Sequence, residues 1–346
     1  MSTSPSFEKI DYQLRYNKHI ERKLVFDVLS NARPSIDFHN YCYLGFGSMW
    51  FSDFRLAHRT LGISNMISME RKKFEKRANF NRPLRCISVQ GEDSTVFLGK
   101  KSWNVPHITW LDYDGSLDES AVLDLTTLLD KCTDGSVILI SVNADRKNYR
   151  PSFGLDSSPR KRQDTALGQI ESLLGAGVVP SRFELDATKV PHEDVSAAQF
   201  PEFLAESTLS FMIHRLKILK RKCQVTNAEG ESILTFRSLF NFCHKDGVEM
   251  VTVGGVIFNE VSIANTWKDD IALGIKRNTD QLPTHQRLDL VPLTLKEKLT
   301  LDSCLPQAES EFLAEAKLKD IGLNDSELTK YRSFYSHFPV FFESPV

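Results

Sequence analysis

The sequence predicts an α/β fold, with a mostly parallel sheet that ends in an antiparallel hairpin and a helical C-terminal extension. Two observations lead to this prediction. Between residues 36 and 142, short apolar runs alternate with helix-like stretches, which is typical of a parallel sheet covered by helices on both faces. Further along, two β-rich runs flank the dipeptide Asp246-Gly247, a strong signal for a hairpin.

The elements of the sheet follow in order along the chain. The five apolar runs predicted as strands are "SIDFHNYCYLGF", "NMISME", "LRCISV", "HITWLDYDG" and "SVILISV". The helix-like stretches after the first four are "FSDFRLAHRTLG", "RKKFEKRANF", "QGEDSTVFL" and "LDESAVLDLTTLLDKC". Two more helices are expected over residues 166–175 and 202–222. The hairpin strands are "SILTFRSLFNFC" and "VEMVTVGGVIFNE".

We expect three parts: an N-terminal helical lid over residues 1–35, a sheet domain over 36–260 and a helical extension over 261–346. In the extension, "LNDSELTKYRSFYSHF" has Asn324 or Asp325 as a candidate helix cap and apolar side chains on one face of the helix. Such helices could offer a surface to a protein partner.

Composition sets limits on the function. The chain has 346 residues and a formal net charge of −2, which argues against a general nucleic-acid coat. Its six cysteines are widely spaced without a Cys-x-x-Cys pair, so buried reduced thiols are expected and a zinc site is not. The N-terminus is polar, and no apolar stretch is long enough to cross a bilayer. These features favour a cytoplasmic protein without membrane attachment.

The stretch "YCYLGFGSMW" contains the first candidate site, a turn formed by Gly45, Gly47 and Ser48. In an open α/β sheet, ligands bind beyond the carboxyl ends of the strands. Glycine lacks the Cβ that would keep a ligand from the backbone, and a following helix presents N–H groups. The alternative is a tight bend between a strand and a helix.

Acidic residues follow the next two predicted strands. Glu70 ends the second strand, where a carboxylate can accept hydrogen bonds from ribose hydroxyls. Glu92 and Asp93 follow the third strand, where an acidic side chain could receive an adenine amino group. The alternatives are a solvated strand end for Glu70 and a polar turn with a helix cap for the other pair. Together, in this order, the three sites favour a nucleotide-like cofactor.

These residues resemble the Rossmann-like S-adenosylmethionine-dependent methyltransferases, and more narrowly a set of bacterial O-methyltransferases. The segments that carry the resemblance are "LRYNKHIERK", "YLGFGSMWFSDFRLAHRTLGI", "MISME", "FNRP", "WLDYDGSLDE" and "SVILISVNA", which cover about residues 10–150. The sequence departs from the family pattern at Tyr43, where an acidic residue usually precedes the glycines, and at Met49, where a third glycine often lies. The resemblance implies S-adenosylmethionine as cofactor and methyl transfer as the reaction.

Methyl transfer requires alignment of a nucleophile and removal of its proton, so catalytic groups should lie at the ends of strands four and five. Asp112 and Asp114 close the fourth predicted strand, and Asn143 and Asp145 close the fifth. Carboxylates there could act as a general base or hold a divalent metal through oxygen ligands. We favour the general base and assign no metal. The alternative is that all four are turn residues.

Basic residues supply candidate substrate contacts. On a helix, Arg15, Lys18, His19 and Arg22 share one face, and Tyr113 lies beside the catalytic candidates. Three further cations follow strand five, namely Arg146, Lys147 and Arg150. We expect the two basic sets to face each other and to select an anionic substrate, either a phosphorylated metabolite or a nucleic-acid segment. The alternative for the helix is a solvated face.

The predicted function is methyl transfer from S-adenosylmethionine to an oxygen or nitrogen of an unidentified substrate. The main alternative is a non-catalytic module that keeps the fold to bind a nucleotide or a protein. A nicotinamide-dependent oxidoreductase fits poorly, because the terminal hairpin is not typical of that class. DNA adenine methylation also fits poorly, since no Pro-Pro-Tyr or Pro-Pro-Phe triplet follows strand four.

Overall fold

A computed structural model describes residues 15–149, 161–184, 194–223, 232–259, 266–290, 292–315, 318 and 321–339. Its centre is a nine-stranded sheet in the order β3-β2-β1-β4-β5-β8-β7-β6, with β9 paired to β7. Strands β1 to β5 are mutually parallel, whereas β8 is antiparallel to both of its neighbours. The predicted sheet with a terminal antiparallel hairpin is therefore confirmed.

The parallel half alternates strands and helices as predicted. Its strands are β1 (Cys42–Gly45), β2 (Asn65–Glu70), β3 (Ile87–Gly91), β4 (His107–Ser116) and β5 (Val137–Asn143). The helices after the first four are α2 (Ser52–Leu61), α3 (Glu75–Asn81), α4 (Ser94–Lys100) and α5 (Glu119–Lys131). The first strand is shorter than predicted, because Asp37 accepts a hydrogen bond from the His39 N–H and caps a 3-10 helix over Phe38–Asn40.

The second half closes the sheet. Its elements are α6 (Ala166–Leu174), α7 (Phe200–Leu219), β6 (Lys222–Cys223), β7 (Ser232–Asp246) and β8 (Val248–Asn259). Gly247, at a φ of +101°, makes the tight turn between the hairpin strands. Helix α7 ends before the predicted residue 222, because Lys220 adopts a left-handed conformation and β6 follows.

The C-terminal part is helical with one short strand that the sequence did not predict. It contains α8 (Asp270–Leu273), β9 (Gln286–Leu288), α9 (Leu295–Asp302), α10 (Glu309–Ala314) and α11 (Asp325–Phe334). Strand β9 runs parallel to β7, with Cys243 opposite Arg287. Asn324 caps α11 as predicted, because its side chain accepts a hydrogen bond from the Glu327 N–H.

The N-terminal helix α1 (Tyr16–Asn31) packs against two apolar cores. Val25, Phe26 and Leu29 join the core on the α2 side of the sheet, which contains Trp110. Ile20 joins the core of the C-terminal part, whose members include Leu288, Leu301, Phe312, Tyr331 and Phe338. Helix α1 is therefore packed between the sheet domain and the C-terminal part. The three-part division of the chain stays a prediction.

Strand register brings the predicted site residues to one edge of the sheet. Gly45, the last residue of β1, pairs with Ser68 on one side and Trp110 on the other. Glu70 pairs with Gly91, and Asp112 pairs with Ser141. Since all five strands are parallel, their carboxyl ends form a continuous edge, which is the position of ligands in open α/β sheets.

Candidate functional site

The turn after β1 is bonded to the acidic residue at the end of β2. The Ser48 N–H donates to Glu70 Oε1 at 2.7 Å. The Gly47 N–H donates to Ser68 Oγ at 2.9 Å, and that hydroxyl donates to Glu70 Oε1 at 3.1 Å. Burial raises the pKa of Glu70 above its ordinary value, although these hydrogen bonds oppose the shift. The two predicted cofactor sites, Ser48 and Glu70, are therefore parts of one structure.

The glycines of the turn are required by the packing of the chain itself. A Cβ at Gly45 would lie 2.9 Å from the Trp110 carbonyl oxygen, and one at Gly47 would lie 2.4 Å from the Phe51 ring. Both distances are shorter than ordinary van der Waals contact. Ser48 also has a positive φ of 51°, which is unusual for a residue with a side chain. The turn is therefore tightly packed as well as aligned with the strand ends.

The acidic pair after β3 is bonded to its own surroundings. Lys100 Nζ lies 2.5 Å from Glu92 Oε1, and the two side chains are 61% and 31% exposed. Solvent screens an ion pair of this kind, so a ligand can replace it at little cost. Asp93 caps α4, where its carboxylate accepts a hydrogen bond from the Thr95 N–H at 3.1 Å.

Strand β4 continues to Ser116, so Asp112 and Asp114 lie within it and do not close it as predicted. Asp112 is bound by two cations from α1. Lys18 Nζ donates to Asp112 Oδ1 at 2.8 Å, and an Arg22 nitrogen lies 3.9 Å from Oδ2. Burial works against ionisation of Asp112, but Lys18 and Arg22 outweigh it and hold the pKa below its ordinary value. A carboxylate with a lowered pKa is a weak base and a good hydrogen-bond acceptor. Helix α1 thus places two of the predicted substrate cations against a predicted catalytic residue.

The same lysine connects to buried groups that the sequence analysis did not single out. Lys18 Nζ is 2.8 Å from Glu21 Oε2 and 3.2 Å from Ser141 Oγ. It also lies 5.0 Å from the centroid of the Trp110 ring. Glu21 is fully buried, yet neither of its oxygens accepts a well-oriented hydrogen bond within the described residues. Helix periodicity places Lys18 and Glu21 on one face, but only the fold shows that this face is buried.

The hairpin turn fixes the start of α1. Asp246 accepts hydrogen bonds from the Lys18 N–H at 2.9 Å and from Asn17 Nδ2 at 2.9 Å. His244 Nε2 lies 3.8 Å from Glu21 Oε2, and burial lowers the pKa of His244. These contacts join residues more than 200 positions apart, so no local sequence signal could have predicted them.

The other predicted substrate residues are Arg15, His19 and Tyr113. Burial, together with Lys23 and Arg22, lowers the pKa of His19 to about 4. Arg15 directly precedes α1 and is half-buried. The Tyr113 hydroxyl donates to Asp124 Oδ2 at 2.5 Å, and its ring meets that of Phe46 edge-on with centroids 5.2 Å apart. Tyr113 is therefore turned toward the β1 turn and α5.

The remaining catalytic candidates differ in exposure. Asp114 is exposed on the last part of β4. Asn143 Oδ1 accepts a hydrogen bond from the Asp145 N–H at 2.8 Å, and Asp145 Oδ1 accepts one from the Lys147 N–H at 3.0 Å. Both side chains thus support the turn that leads from β5 into a 3-10 helix over Arg146–Tyr149. Within the described residues, no three His, Cys, Asp or Glu side chains form a group that could hold a metal.

The predicted cations after β5 do not all point the same way. Arg146 donates to the Val195 carbonyl oxygen at 2.7 Å and pairs with Asp194 at 3.5 Å. Lys147 is exposed, and Arg150 lies outside the described residues. The structure therefore describes one exposed and one internally bonded cation at this position.

A second tyrosine–aspartate contact lies beneath the turn. The Tyr43 hydroxyl donates to Asp53 Oδ2 at 2.7 Å, and both side chains are buried. Tyr43 occupies the position where the family pattern usually has an acidic residue. Asp53 comes from the first turn of α2, ten residues later. Position 43 lacks the acid of the family pattern, and no local feature of the sequence indicates that the Asp53 carboxylate lies beside it.

The hydrogen-bond acceptors at this edge fit S-adenosylmethionine, the cofactor that the resemblance implies. The cofactor carries ribose hydroxyls, an adenine amino group and a net positive charge. The edge offers acceptors and negative charge, with the buried Glu70 carboxylate beside the turn and Asp112 on the next strand. A carboxylate at the end of β2 is a suitable acceptor for ribose hydroxyls.

Comparison with known proteins agrees with this assignment. A family described as "Putative O-methyltransferase" matches residues 10–346. No curated protein matches the chain significantly. Among the described residues, no helix is long and apolar enough to span a membrane.

Three solved structures illustrate the structural similarity, each with a TM-score below 0.5. A chain of the fibrillarin/Nop5p complex has 12% identity and a TM-score of 0.37, covering 69% of this chain and 83% of that one. A methyltransferase from Mesorhizobium loti has 12% identity and a TM-score of 0.33, covering 65% and 95%. LepI in complex with SAH and a substrate analogue has 13% identity and a TM-score of 0.33, covering 66% and 46%.

The family match spans nearly the whole chain, and the order and direction of the strands agree with it. The protein therefore belongs to the "Putative O-methyltransferase" family, as a Rossmann-like methyltransferase enzyme whose cofactor is S-adenosylmethionine.

Proposed function

We propose that this methyltransferase transfers the methyl group to an oxygen or nitrogen atom of a substrate that carries an anionic group. The observation that most strongly supports the position of the cofactor in this proposal is the hydrogen bond from the Ser48 N–H to Glu70 Oε1, at 2.7 Å. It joins the turn after β1 to the carboxylate at the end of β2. The turn and the carboxylate are thus held together at the strand ends, where ligands of open α/β sheets bind.

Individual residues would hold the cofactor as follows. Both hydrogen bonds from Ser48 and Ser68 go to Glu70 Oε1, so Oε2 would accept the ribose hydroxyls. Glu92 would receive the adenine amino group after releasing Lys100. When bound, S-adenosylmethionine supplies a methyl group already activated by a sulfonium.

The chain's own residues would then orient the nucleophile. Asp112, whose pKa is lowered, would accept a hydrogen bond from the substrate O–H or N–H. This hydrogen bond would direct the lone pair of the substrate oxygen or nitrogen at the methyl group. Asp114, which is exposed, and Asp145 would pass the released proton to solvent. Asn143 would hold the turn that carries Asp145. Orientation of this kind accounts for much of the acceleration of bimolecular reactions.

The anionic character of the substrate is the finer part of the proposal. Lys18 and Arg22 are already paired with Asp112, so they would act on the substrate through that carboxylate. Lys147, exposed directly after β5, is the cation best placed to meet a phosphate or carboxylate. The substrate would be a small phosphorylated metabolite or a nucleic-acid segment.

A protein partner at the C-terminal helices belongs to the same proposal. Leu295 and Leu299 lie one turn apart on α9 and are 52% and 58% exposed. They line a shallow pocket with Lys296, Thr300 and Ser303. We propose these two leucines as the centre of an interaction surface, since contiguous exposed apolar patches mark such surfaces when they are large. Light scattering of the wild type and of Leu299→Gln would show whether this surface drives self-association.

The experiment that tests the methyl-transfer proposal uses S-adenosylmethionine labelled with tritium in its methyl group. The protein is incubated with small-molecule and nucleic-acid fractions, and the products are separated on an anion exchanger. We expect label in an anionic product. Asp112→Asn should lower transfer about 100-fold, the scale of loss for a misplaced nucleophile. Asp130→Asn, which removes a surface partner of Arg215, is the matched control.

Four outcomes would count against parts of this proposal. Label that never leaves the cofactor would contradict methyl transfer to these substrate classes. Label found only in uncharged or cationic products that release no anion when methyl esters are hydrolysed would contradict the anionic substrate. The control for Lys147→Gln is Lys217→Gln, at an exposed lysine of α7, and equal activity of the two variants at every salt concentration would contradict the anionic substrate as well. Activity that is abolished by a chelator would contradict the choice of a general base over a metal.

A further inference from the structure

Five buried or partly buried side chains near the ends of β1 and β4 form what we call the charge cluster, namely Lys18, Glu21, Arg22, Asp53 and Asp112. Lys18 pairs with Glu21 and Asp112, and Arg22 lies near Asp112. Burial raises the pKa of Asp53, on the neighbouring helix α2, while Arg22 lowers it and Asp112 raises it further. The cluster therefore contains three carboxylates and two cations, which is one positive charge short of balance.

Asp53 is the carboxylate of this cluster with the weakest compensation. It is 8% exposed, and burying a carboxylate without a full counter-charge is costly. Its described hydrogen bond comes from the neutral Tyr43 hydroxyl at 2.7 Å. An Asp in the first turn of a helix is stabilised by the helix dipole. An exposed Asp at that position would be stabilised equally, so the dipole does not explain why Asp53 is buried.

Asp53 lies close to the strand end that leads into the turn after β1. Its Oδ2 lies 3.6 Å from the point where a Cβ on Gly45 would be, and Gly45 is the last residue of β1. The carboxylate thus lies against the strand end from which the cofactor turn begins. Tyr43, two residues earlier on the same strand, holds it there.

From this geometry we infer that Asp53 receives the ammonium group of the amino-acid end of S-adenosylmethionine. The inference rests on the proposed placement of the cofactor at this edge. An ammonium supplies the missing positive charge of the cluster, and hydrogen bonds between charged groups are stronger than neutral ones. In this protein, a tyrosine on the strand and an aspartate on the following helix together replace an acidic residue at position 43.

The test compares two ligands that differ in the amino-acid end. S-adenosylhomocysteine contains the ammonium, whereas 5′-methylthioadenosine has the same adenosine and sulfur without the amino-acid end. Both are titrated calorimetrically into the wild type, Asp53→Asn and the control Asp302→Asn. Asp302 is a matched control, because it also accepts a hydrogen bond from a tyrosine hydroxyl, that of Tyr331 at 2.7 Å, but lies in the C-terminal part.

We expect Asp53→Asn to weaken S-adenosylhomocysteine binding tenfold to a hundredfold, the range for a hydrogen bond between charged groups. Its affinity for 5′-methylthioadenosine should stay within about twofold of the wild type, since that ligand has no ammonium. Asp302→Asn should bind both ligands as the wild type does. This selective loss is the signature of a contact with the amino-acid end.

Two results with a folded variant would overturn the inference. Equal loss of both ligands would mean that Asp53 only shapes the turn, and unchanged binding of both would mean that it does not face the cofactor. If the wild type binds neither ligand, the proposed cofactor position itself is wrong.

A second variant covers the case in which Asp53→Asn does not fold. Tyr43→Phe keeps the carboxylate and removes the hydroxyl that holds it. We expect a loss of several-fold in affinity for S-adenosylhomocysteine and no change for 5′-methylthioadenosine. An unchanged ratio of the two affinities in this variant would overturn the inference as well.

Discussion

Lys18 and Asp112 are 94 positions apart in the sequence and form a salt bridge of 2.8 Å between Nζ and Oδ1. The lysine is 4% exposed and the aspartate 23%. The bridge fixes the N-terminal helix α1 onto the carboxyl end of β4, where a methyltransferase needs its substrate to lie. Helix α1 is therefore part of the candidate site.

Removal of the lysine should destabilise the protein. Lys18→Met keeps the aliphatic stem but leaves Asp112 without its closest counter-charge, which should cost about 3 kcal/mol, the lower end for a broken buried pair. Lys72→Met is the control, because Lys72 pairs with Glu75 while 80% exposed, and such pairs contribute less than about 1 kcal/mol. Urea denaturation measures the free energy of unfolding of both variants. Equal effects of the two substitutions would contradict a structural role for the Lys18 bridge.

The pH dependence of stability should depend on the same bridge. The pKa of Asp112 lies below its ordinary value of 3.8, so its ionised form is favoured in the folded state. This contribution is complete above the unfolded pKa and is lost as the pH falls through the folded pKa. The difference in unfolding free energy between the wild type and Lys18→Met should therefore shrink below pH 3.8. A constant difference from pH 7 to pH 3 would contradict this assignment.

Asp53 should affect the pH dependence of stability in the opposite direction to Asp112. Burial raises its pKa above 3.8, so its contribution favours folding at low pH and becomes unfavourable as the pH rises through the folded pKa. Asp53→Asn should therefore be more stable than the wild type at pH 7, by about 1.4 kcal/mol for each unit of pKa shift. The gain should vanish below pH 3.8, as followed by thermal unfolding. A less stable variant at pH 7 would show that the carboxylate is fully compensated without a ligand.

The glycine turn gives a prediction with an internal control. Gly47→Ala would place a Cβ 2.4 Å from the Phe51 ring, and overpacking of this kind costs about 1–3 kcal/mol. In Gly115→Ala the added Cβ has no heavy atom within 4 Å, so this variant should change stability little. Denaturant titration of both variants checks the pair. A Gly47→Ala variant as stable as Gly115→Ala would mean that the turn has room for a side chain.

The sequence carried enough information for the parallel half of the fold, because local patterns determine it. The alternation of apolar runs with helix-like stretches placed β1 to β5, and the Asp246-Gly247 dipeptide placed the hairpin. Strand β9 was missed, since three residues over Gln286–Leu288 give too short a pattern to distinguish from a loop.

The candidate site was predictable only where it depends on position along a strand. Glu70 and Asp112 were found because the carboxyl ends of parallel strands meet at one edge. Asp53, Glu21 and His244 were not, because their significance comes from burial and from contacts across the fold. The role of the basic residues of α1 in substrate binding stays a prediction, and the burial of Lys18 and Arg22 against Asp112 depends on the tertiary structure.

The most direct test of the central claim is calorimetric titration of the wild type and Glu70→Ala with S-adenosylmethionine, S-adenosylhomocysteine and NAD. We expect the wild type to bind the first two ligands at one site per chain and not to bind NAD. Glu70→Ala should bind them tenfold to a hundredfold more weakly, as expected for loss of a charged hydrogen-bond acceptor. Binding of NAD, or equal affinity of the wild type and Glu70→Ala for S-adenosylmethionine, would contradict the account.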